Sequence, residues 1–166
     1  MRLTLHTDYA LRTLIFVGLR AGRLASILEI AQAFRISENH LTKVVHGLGR
    51  AGFLETLRGR GGGLRLARPA REIGLGAVVR ATEEDLALVA CFPGAGAQAG
   101  TPCLIAGNCE LQAVLAEALA AFLAVLDRHS LADLLEPRQA RLRALLGMEE
   151  AGPAAPPPPV PQKIRL

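Results

Sequence analysis

The chain contains three cysteines, and all of them lie in one short stretch that is rich in glycine, alanine and proline. Eleven residues separate Cys91 from Cys103, and five separate Cys103 from Cys109. Thiolates in such a stretch can ligate zinc or an iron–sulfur cluster. The paired Cys-x2-Cys spacing of a zinc ribbon is absent from the sequence, and an odd number of cysteines leaves one thiol outside any disulfide. Free structural thiols, a zinc site and an iron–sulfur site therefore all stay open.

A metal site built on three cysteines needs a fourth ligand, because zinc sites and most cluster sites use four. The chain offers His6, Asp8 and His129, and a partner chain could also supply one. Asp8 falls in the first turn of a predicted helix, where the helix dipole alone favours a carboxylate. Its position by itself therefore does not show that it binds a metal.

A second set of residues is chemically suited to DNA. Apolar residues at i, i+3, i+4 and i+7 from Leu41 to Leu48 predict an amphipathic helix that Ser37 caps. A shorter helix precedes it and opens with the capping-box pattern Ser26 to Glu29. Two short helices joined by a tight turn form a helix-turn-helix, whose second helix enters the major groove. The residues expected to contact DNA from this helix are Ser37, Asn39, His40, Thr42, Lys43 and His46.

A glycine-rich turn joins two runs of alternating residues directly after this helix. Phe53–Arg58 and Leu64–Arg68 predict the strands of a β-hairpin, which is the wing of a winged helix fold. Arg58, Arg60 and Arg65 are expected to lie near phosphates or the minor groove. The turn is not a phosphate-binding P-loop, because no Gly-Lys-Ser/Thr follows it and a strand stands where that motif has a helix.

Charge is divided unevenly along the chain, although the net charge is only +4. Residues 1–80 hold 13 Lys and Arg against 5 Asp and Glu, whereas residues 81–166 hold 6 against 10. The basic half favours a polyanionic partner. Because no uncharged apolar run is long enough to span a membrane and the start lacks the apolar core of a signal peptide, we expect a cytoplasmic protein without a membrane partner. We expect no enzymatic activity.

Helical spacing also predicts the elements that must position these residues. It indicates helices over residues 7–20, 73–82 and 110–128, with shorter ones at 131–135 and 138–146. The apolar stripe of the 110–128 helix is too broad for a small winged helix domain to cover. We therefore expect a homodimer, whose twofold axis presents two recognition helices to a palindromic operator in double-stranded DNA.

The expected fold is mainly α with a small β-hairpin wing, a winged helix-turn-helix followed by a long dimerisation helix. The expected divisions are a DNA-binding domain at 1–82, a cysteine-bearing cluster loop at 83–109, the dimerisation helix and C-terminal helices at 110–146, and a proline-rich disordered tail at 147–166.

Seven short segments, taken together, form a pattern specific enough to indicate a protein family. They are Met1–Thr4, Thr7–Arg12, Ser37–Val45, Leu57–Leu66, Leu88–Cys91, Phe122–Asp127 and Leu131–Leu134. Together they resemble the NsrR branch of the IscR-type winged helix regulators over roughly residues 1–136. The gap between Cys91 and Cys103 is longer here than is usual in that family. Because doubling a flexible loop costs only ~0.6 kcal/mol of closure entropy, ligation stays feasible.

The resemblance implies a homodimeric repressor whose iron–sulfur cluster senses nitric oxide. It implies that Cys91, Cys103 and Cys109 hold the cluster, with 4Fe-4S favoured over 2Fe-2S. In some members an acidic residue near the start of the first helix is the fourth ligand and comes from the other subunit, and Asp8 stands at the matching position. Nitric oxide would then attack the iron, displace the carboxylate more easily than a thiolate, and release the dimer from DNA.

Three alternatives stay open. The first is a regulator of the same family that responds to iron supply or cluster status. The second, of another class, is a small redox or electron-transfer protein that uses the cysteines, although it leaves the 13 basic residues of the first half unexplained. The third is a winged helix domain with a structural zinc and no sensing role.

Overall fold

The computed structural model describes residues 2–20, 22–92, 103–105 and 108–148. This part of the chain forms seven α-helices and one two-stranded antiparallel hairpin, which confirms the predicted fold class. The elements are α1 (Leu5–Leu19), α2 (Ile27–Phe34), α3 (Glu38–Arg50), β1 (Leu54–Leu57), β2 (Gly63–Leu66), α4 (Leu75–Thr82), α5 (Glu110–Asp127), α6 (Leu131–Leu135) and α7 (Gln139–Leu145). Most of the proline-rich segment, from residue 149 onward, lies outside the described residues.

The helix-turn-helix is held by local caps, as the sequence predicts. The Ser26 hydroxyl accepts the Glu29 N–H at 3.2 Å, and the Glu29 carboxylate accepts the Ser26 N–H at 2.7 Å, so the capping box is complete. Burial alone would raise the pKa of Glu29, but the hydrogen bonds from Ser26 and the charge of Arg20 hold it below its ordinary value. Between α2 and α3 the backbone of Arg35 turns through the left-handed region, with φ 55°.

The first helix begins two residues earlier than the sequence predicts. Thr4 rather than a later residue is its N-cap, and the Thr4 hydroxyl accepts the Thr7 N–H at 3.3 Å. The Thr7 hydroxyl is buried and donates instead to the Thr82 hydroxyl at 2.9 Å. This pair ties the start of α1 to the end of α4, 75 residues away in sequence.

The hydrophobic core lies around α1. Buried side chains of α1 and α3, among them Leu14, Phe16, Leu41 and Leu48, share one cluster with residues of the hairpin, α4 and α6. Gly18 lets α6 approach closely, since a Cβ there would lie 2.6 Å from a methyl carbon of Leu135. The core is therefore built around α1, which packs against α3, α4, α6 and the second strand of the hairpin.

The hairpin is joined to the segment just before α2 by an isolated β-bridge. Ala25 donates to the Leu64 carbonyl at 3.0 Å and accepts the Leu64 N–H at 2.7 Å. Glycine is needed at position 63, because a Cβ there would lie 2.8 Å from the Ala25 carbonyl oxygen. The strands are shorter than the predicted runs because the turn and the closing Pro69 leave only four paired positions, Leu54 to Leu57 against Gly63 to Leu66.

The long helix α5 is fixed to the rest of the protein at its C-terminal end. Two nitrogens of Arg80 donate to the two carboxylate oxygens of Asp127, at 2.6 and 2.7 Å. Gly76 leaves room for that carboxylate, which a Cβ would overlap. Beyond this end, α6 and α7 return to α1, where the Arg143 guanidinium donates to the Leu19 carbonyl at 2.7 and 3.0 Å. In the described residues, none of the helices is long and apolar enough to cross a membrane.

Candidate DNA interface and cysteine site

The second helix of the helix-turn-helix has one buried face and one exposed face. Leu41 and Leu48 are fully buried, and Val44 is 1% exposed. The six predicted contact residues are all exposed: Ser37, Asn39, His40, Thr42, Lys43 and His46. The fold thus presents a polar, basic surface on a helix whose other side is fixed in the core, as major-groove docking requires.

Two of these six residues already make hydrogen bonds within the helix. The Ser37 hydroxyl caps α3 by accepting the His40 N–H at 3.4 Å. The Thr42 hydroxyl donates to the Glu38 carbonyl at 2.8 Å, so its proton is used. Thr42 is left with an acceptor oxygen and a methyl group, which suit a base amino group or the methyl of thymine.

The wing places its three predicted arginines at an exposed edge, but one of them is already paired. Arg58 and Arg60 flank the tip of the turn. Arg65 lies opposite Glu55 in the hairpin register, and its Nε and Nη2 both lie 2.8 Å from one Glu55 carboxylate oxygen. Any phosphate approaching Arg65 would have to compete with Glu55, whereas no carboxylate pairs with Arg60 among the described residues.

The glycines of the turn are needed for the shape of its tip. Gly59 and Gly61 have φ values of 101° and 80°, a region that side chains strongly disfavour. Gly62 is outside the positive-φ region, but a Cβ there would lie 3.0 Å from the Gly59 carbonyl oxygen and would overlap the Leu57 carbonyl oxygen. The glycines therefore allow the tight turn that places Arg58 and Arg60 at the exposed tip of the hairpin.

The three cysteines belong to the described residues, and all three thiols are free. Cys91 and Cys103 are exposed, while Cys109 is half-buried and is the N-cap residue of α5. Within the described residues, no three side chains from His, Cys, Asp and Glu are grouped closely enough to hold a metal. One chain thus supplies thiol donors of the type that iron–sulfur clusters or zinc require, without bringing a complete ligand set together.

The predicted fourth-ligand candidates lie on other elements. Asp8 is in the first turn of α1 with 40% of its side chain exposed, and Arg12 holds it by an ion pair of 2.8 Å. His6 is on the same turn, and His129 follows α5, where its carbonyl accepts the Leu75 N–H at 2.9 Å. The structure does not group any of the three with the cysteines in a single chain.

Two contacts next to Asp8 connect α1 with the helix-turn-helix, and the sequence analysis missed both. The Tyr9 ring lies 6.2 Å from the His40 ring, centroid to centroid, on the exposed face of α3. The Arg12 guanidinium lies 5.9 Å from the centre of the Phe34 ring, at the end of α2. No sequence pattern pairs Tyr9 with His40 or Arg12 with Phe34. The ion pair between Asp8 and Arg12, by contrast, could have been predicted from their i,i+4 spacing.

The sequence also matches a known family. The Rrf2 family model, described as an iron-dependent transcriptional regulator, matches residues 3–137. The chain belongs to the Rrf2 family. Rrf2 proteins are transcriptional regulators that bind DNA, so the chain is a regulator and not an enzyme.

Relatives within the Rrf2 family confirm the resemblance to NsrR regulators. The chain is 54% identical over 147 residues to the HTH-type transcriptional regulator NsrR of Geobacillus kaustophilus (strain HTA426), covering 88% of this chain and 97% of the relative. It is 46% identical over 151 residues to the regulator of the same name from Bacillus subtilis (strain 168), covering 90% and 100% of the two chains.

Solved structures support the same fold. The chain resembles CymR, the global cysteine regulator of B. subtilis, with a TM-score of 0.66 and 22% identity over 82% of this chain and 98% of that one. It also resembles T. potens IscR, with a TM-score of 0.65 and 22% identity over 82% and 88% of the two chains. At this identity the likeness establishes the winged helix architecture alone.

Proposed function

We propose that the chain is a homodimeric transcriptional repressor that senses nitric oxide through an iron–sulfur cluster, of the 4Fe-4S type ahead of 2Fe-2S. The observation that carries the proposal is the set of three free thiols between α4 and the start of α5, in a chain 54% identical to a regulator named NsrR. The family description as an iron-dependent regulator points in the same direction. A cysteine site that bound no iron would not account for the description of the family as iron-dependent.

The proposed ligands are Cys91, Cys103 and Cys109 of one subunit together with Asp8 of the partner subunit. Thiolates are the usual protein ligands of iron–sulfur clusters, so the donor set fits the group. Asp8 fits the fourth position because its carboxylate is partly exposed and, among the residues that the structure describes, is held only by an exposed ion pair with Arg12. When bound, the cluster supplies iron with which nitric oxide reacts.

The proposed dimer forms through α5. This 18-residue helix, about 27 Å long at 1.5 Å per residue, lies wholly within the described residues, and none of its residues is fully buried in the single chain. Leu111, Val114 and Val125 are 63, 59 and 46% exposed and lie on one helical face. A second copy of the same face is the occupant that removes this apolar surface from water and also provides the twofold axis.

Residues of α1 would transmit the state of the site to DNA. With Asp8 engaged by the other subunit, the first turn of α1 is held across the dimer, and Arg12 is freed from its ion pair. Tyr9 contacts His40 and Arg12 contacts Phe34, so a shift of this turn reaches both helices of the helix-turn-helix directly. When Asp8 is released, Arg12 can recapture it, and the spacing of the two recognition helices changes.

We assign the DNA contacts to α3 and the wing. The exposed side chains of Asn39, His40 and Lys43 face a major groove, and His46 lies one turn further along the helix. Arg58 and Arg60 at the wing tip meet phosphates or the minor groove. Two such units related by the dimer axis suit a palindromic operator.

The proposal is tested with protein purified without oxygen. Iron and sulfide analysis and the visible spectrum identify the metal centre, and a palindromic DNA fragment selected from a random pool by this protein serves as the probe. We expect nitric oxide to release the protein from that fragment at concentrations that match loss of the cluster spectrum. Release by an iron chelator but not by nitric oxide would favour the iron-responsive alternative. Zinc in place of iron, or no DNA selection at all, would contradict the proposal.

The Asp8 assignment has its own test. Asp8→Ala is compared with Glu84→Ala, which removes another exposed carboxylate. We expect only Asp8→Ala to lower cluster content or to alter the nitric oxide response. Equal cluster content and equal response in both variants would exclude Asp8 as a ligand.

A further inference from the structure

Gln112, in the first turn of α5, donates hydrogen bonds to the backbone carbonyls of two of the three cysteines. Its backbone N–H donates to the Cys109 carbonyl at 3.2 Å. Its side-chain amide donates to the Cys91 carbonyl, also at 3.2 Å. A glutamine at this third helical position commonly reaches back to the N-cap residue of its own helix. Here the side chain instead crosses to a segment 21 residues earlier in the sequence.

This cross-link joins the first turn of a regular helix to an irregular segment. Cys109 is the N-cap of α5, and Arg80 and Asp127 fix the opposite, C-terminal end of this helix to α4. Cys91 lies in the segment after α4, residues 83–92, which forms neither helix nor strand. Gln112 is half-buried, whereas Cys91 and the hydrogen bond between the two residues are exposed at the surface. The irregular segment is therefore fastened to the first turn of α5 at the residue that carries the first thiol.

We propose that Gln112 is a positioning residue for the cysteine site. It holds the backbone of Cys91 beside that of Cys109, so that these two thiols are kept at one end of α5 before any metal is bound. Without it, bringing them together means closing a long loop rich in glycine, alanine and proline, at a cost in chain entropy. The assignment of the metal as an iron–sulfur cluster rests on the proposed function, but the hydrogen bonds of Gln112 are a property of the metal-free chain.

The first test therefore uses metal-free, reduced protein. In a Cys103→Ser background, a short bifunctional thiol reagent joins Cys91 to Cys109, and the rate of bridging is measured by mass spectrometry. Gln112→Met keeps the length and helix propensity of the side chain but removes its donor, whereas Gln112→Lys retains a donor of similar reach. We expect Gln112→Met to slow bridging about three- to tenfold, the range that corresponds to one net hydrogen bond. We expect Gln112→Lys to restore most of the rate.

The control is Gln139→Met, which changes an exposed glutamine of α7 in the same way. Single-ended alkylation of Cys91 and of Cys109 is measured alongside, to show that the reactivity of each thiol is unchanged. Bridging by Gln112→Met at the parent rate would overturn the proposal. An equal loss in Gln112→Met and Gln112→Lys would also overturn it, because the donor would then not be what matters.

A second test uses the full chain with all three cysteines. Ferrous iron and sulfide are added without oxygen, and the growth of the visible absorption is followed. We expect Gln112→Met to load about three- to tenfold more slowly than the parent and Gln112→Lys to load nearly as fast. Normal loading of Gln112→Met would contradict a role in positioning ligands. If the parent itself forms no cluster, the proposed function fails, and the bridging rates alone decide the role of Gln112.

Discussion

Arg12 holds Asp8 through both carboxylate oxygens. The Arg12 Nε donates to Oδ1 at 3.0 Å, and Nη2 lies 2.8 Å from Oδ2. The two side chains are one helical turn apart and are 44 and 40% exposed, so the pair contributes no more than about 1 kcal/mol. An ion pair of this strength can orient the carboxylate and still break when the carboxylate binds a metal ion. Arg12 is therefore the natural competitor for the ligand role that we propose for Asp8.

Replacing Arg12 with glutamine is expected to favour the metal-bound state. Asp8 would have no cation to return to, so loss of the cluster and release of DNA should require more nitric oxide, by up to about fivefold. The measurement is a titration that follows the visible spectrum and DNA-binding anisotropy in parallel. Arg71→Gln is the control, since Arg71 is an exposed arginine that lies 3.8 Å from Glu72. Identical titrations for Arg12→Gln and the parent would mean that Arg12 does not compete for Asp8.

Replacing Glu55 with glutamine is expected to strengthen DNA binding. Glu55 neutralises Arg65 across the hairpin, and removing its charge leaves the arginine free for a phosphate. If Arg65 gains one phosphate contact, the plot of log affinity against log salt should become steeper by about one. The control Glu72→Gln removes a carboxylate outside the hairpin. A slope equal to that of the parent would place Arg65 away from the phosphates.

The helix-turn-helix could be predicted from sequence because the signals that determine it are local. The capping box of Ser26 and Glu29 spans three residues, and the apolar residues of α3 recur within two turns. The wing is nearly as local, since the glycine turn fixes which strand residues face each other. Such elements can be predicted without knowing how the rest of the chain folds.

The contacts that place α1, α5 and α7 could not be predicted in that way. Arg80 and Asp127 are 47 residues apart, and Arg143 reaches the Leu19 carbonyl across 124 residues. The first turn of α1 is also tied to a distant element, because the Thr7 hydroxyl donates to Thr82, 75 residues away. The geometry of the cysteine site could not be predicted either. The sequence shows its thiol donors, but two of them lie in irregular segments, and no periodic pattern determines where such segments place a side chain.

Replacing Gly62 with alanine is expected to weaken DNA binding while leaving the core intact. The added Cβ would overlap backbone oxygens of the turn, so the tip must open and carry Arg58 and Arg60 to a new position. We expect a loss of affinity on all DNA sequences and little change in the midpoint of thermal unfolding. Gly74→Ala is a matched control, because a Cβ there meets no atom within 4 Å among the described residues. Unchanged DNA affinity for Gly62→Ala would exclude the wing tip from the interface.

The Asp127 carboxylate makes the attachment of α5 sensitive to acid. Its hydrogen bond and ion pair with Arg80 hold the pKa of Asp127 below its ordinary value of 3.8. Since the folded state has the lower pKa, its stabilisation is fully present above the unfolded value and is lost as pH falls through the folded value. Asp127→Asn should therefore be less stable than the parent near neutral pH, and the difference should close below about pH 4.

Urea unfolding of the two proteins over that pH range provides the measurement. Asp133 serves as an internal reference, because hydrogen bonds from Ser130 also lower its pKa and it is present in both proteins. Any acid sensitivity due to Asp133 therefore cancels in the comparison. A stability difference that persists unchanged into acid would show that the charge of Asp127 does not hold α5 in place.

Introducing a charge at Val114 tests the dimer surface. Val114 is 59% exposed in the single chain, so glutamate there should fold normally and should be harmless to a monomer. In a dimer formed through α5 the same carboxylate is buried without a partner, and both copies carry it. Such an uncompensated charge costs several kcal/mol, which corresponds to a rise of at least about 100-fold in the dimer dissociation constant. Sedimentation velocity at micromolar concentration should then show monomer for Val114→Glu and dimer for Gln139→Glu, which adds the same charge on α7. Dimers of equal stability in both variants would place the subunit contact elsewhere than on this face of α5.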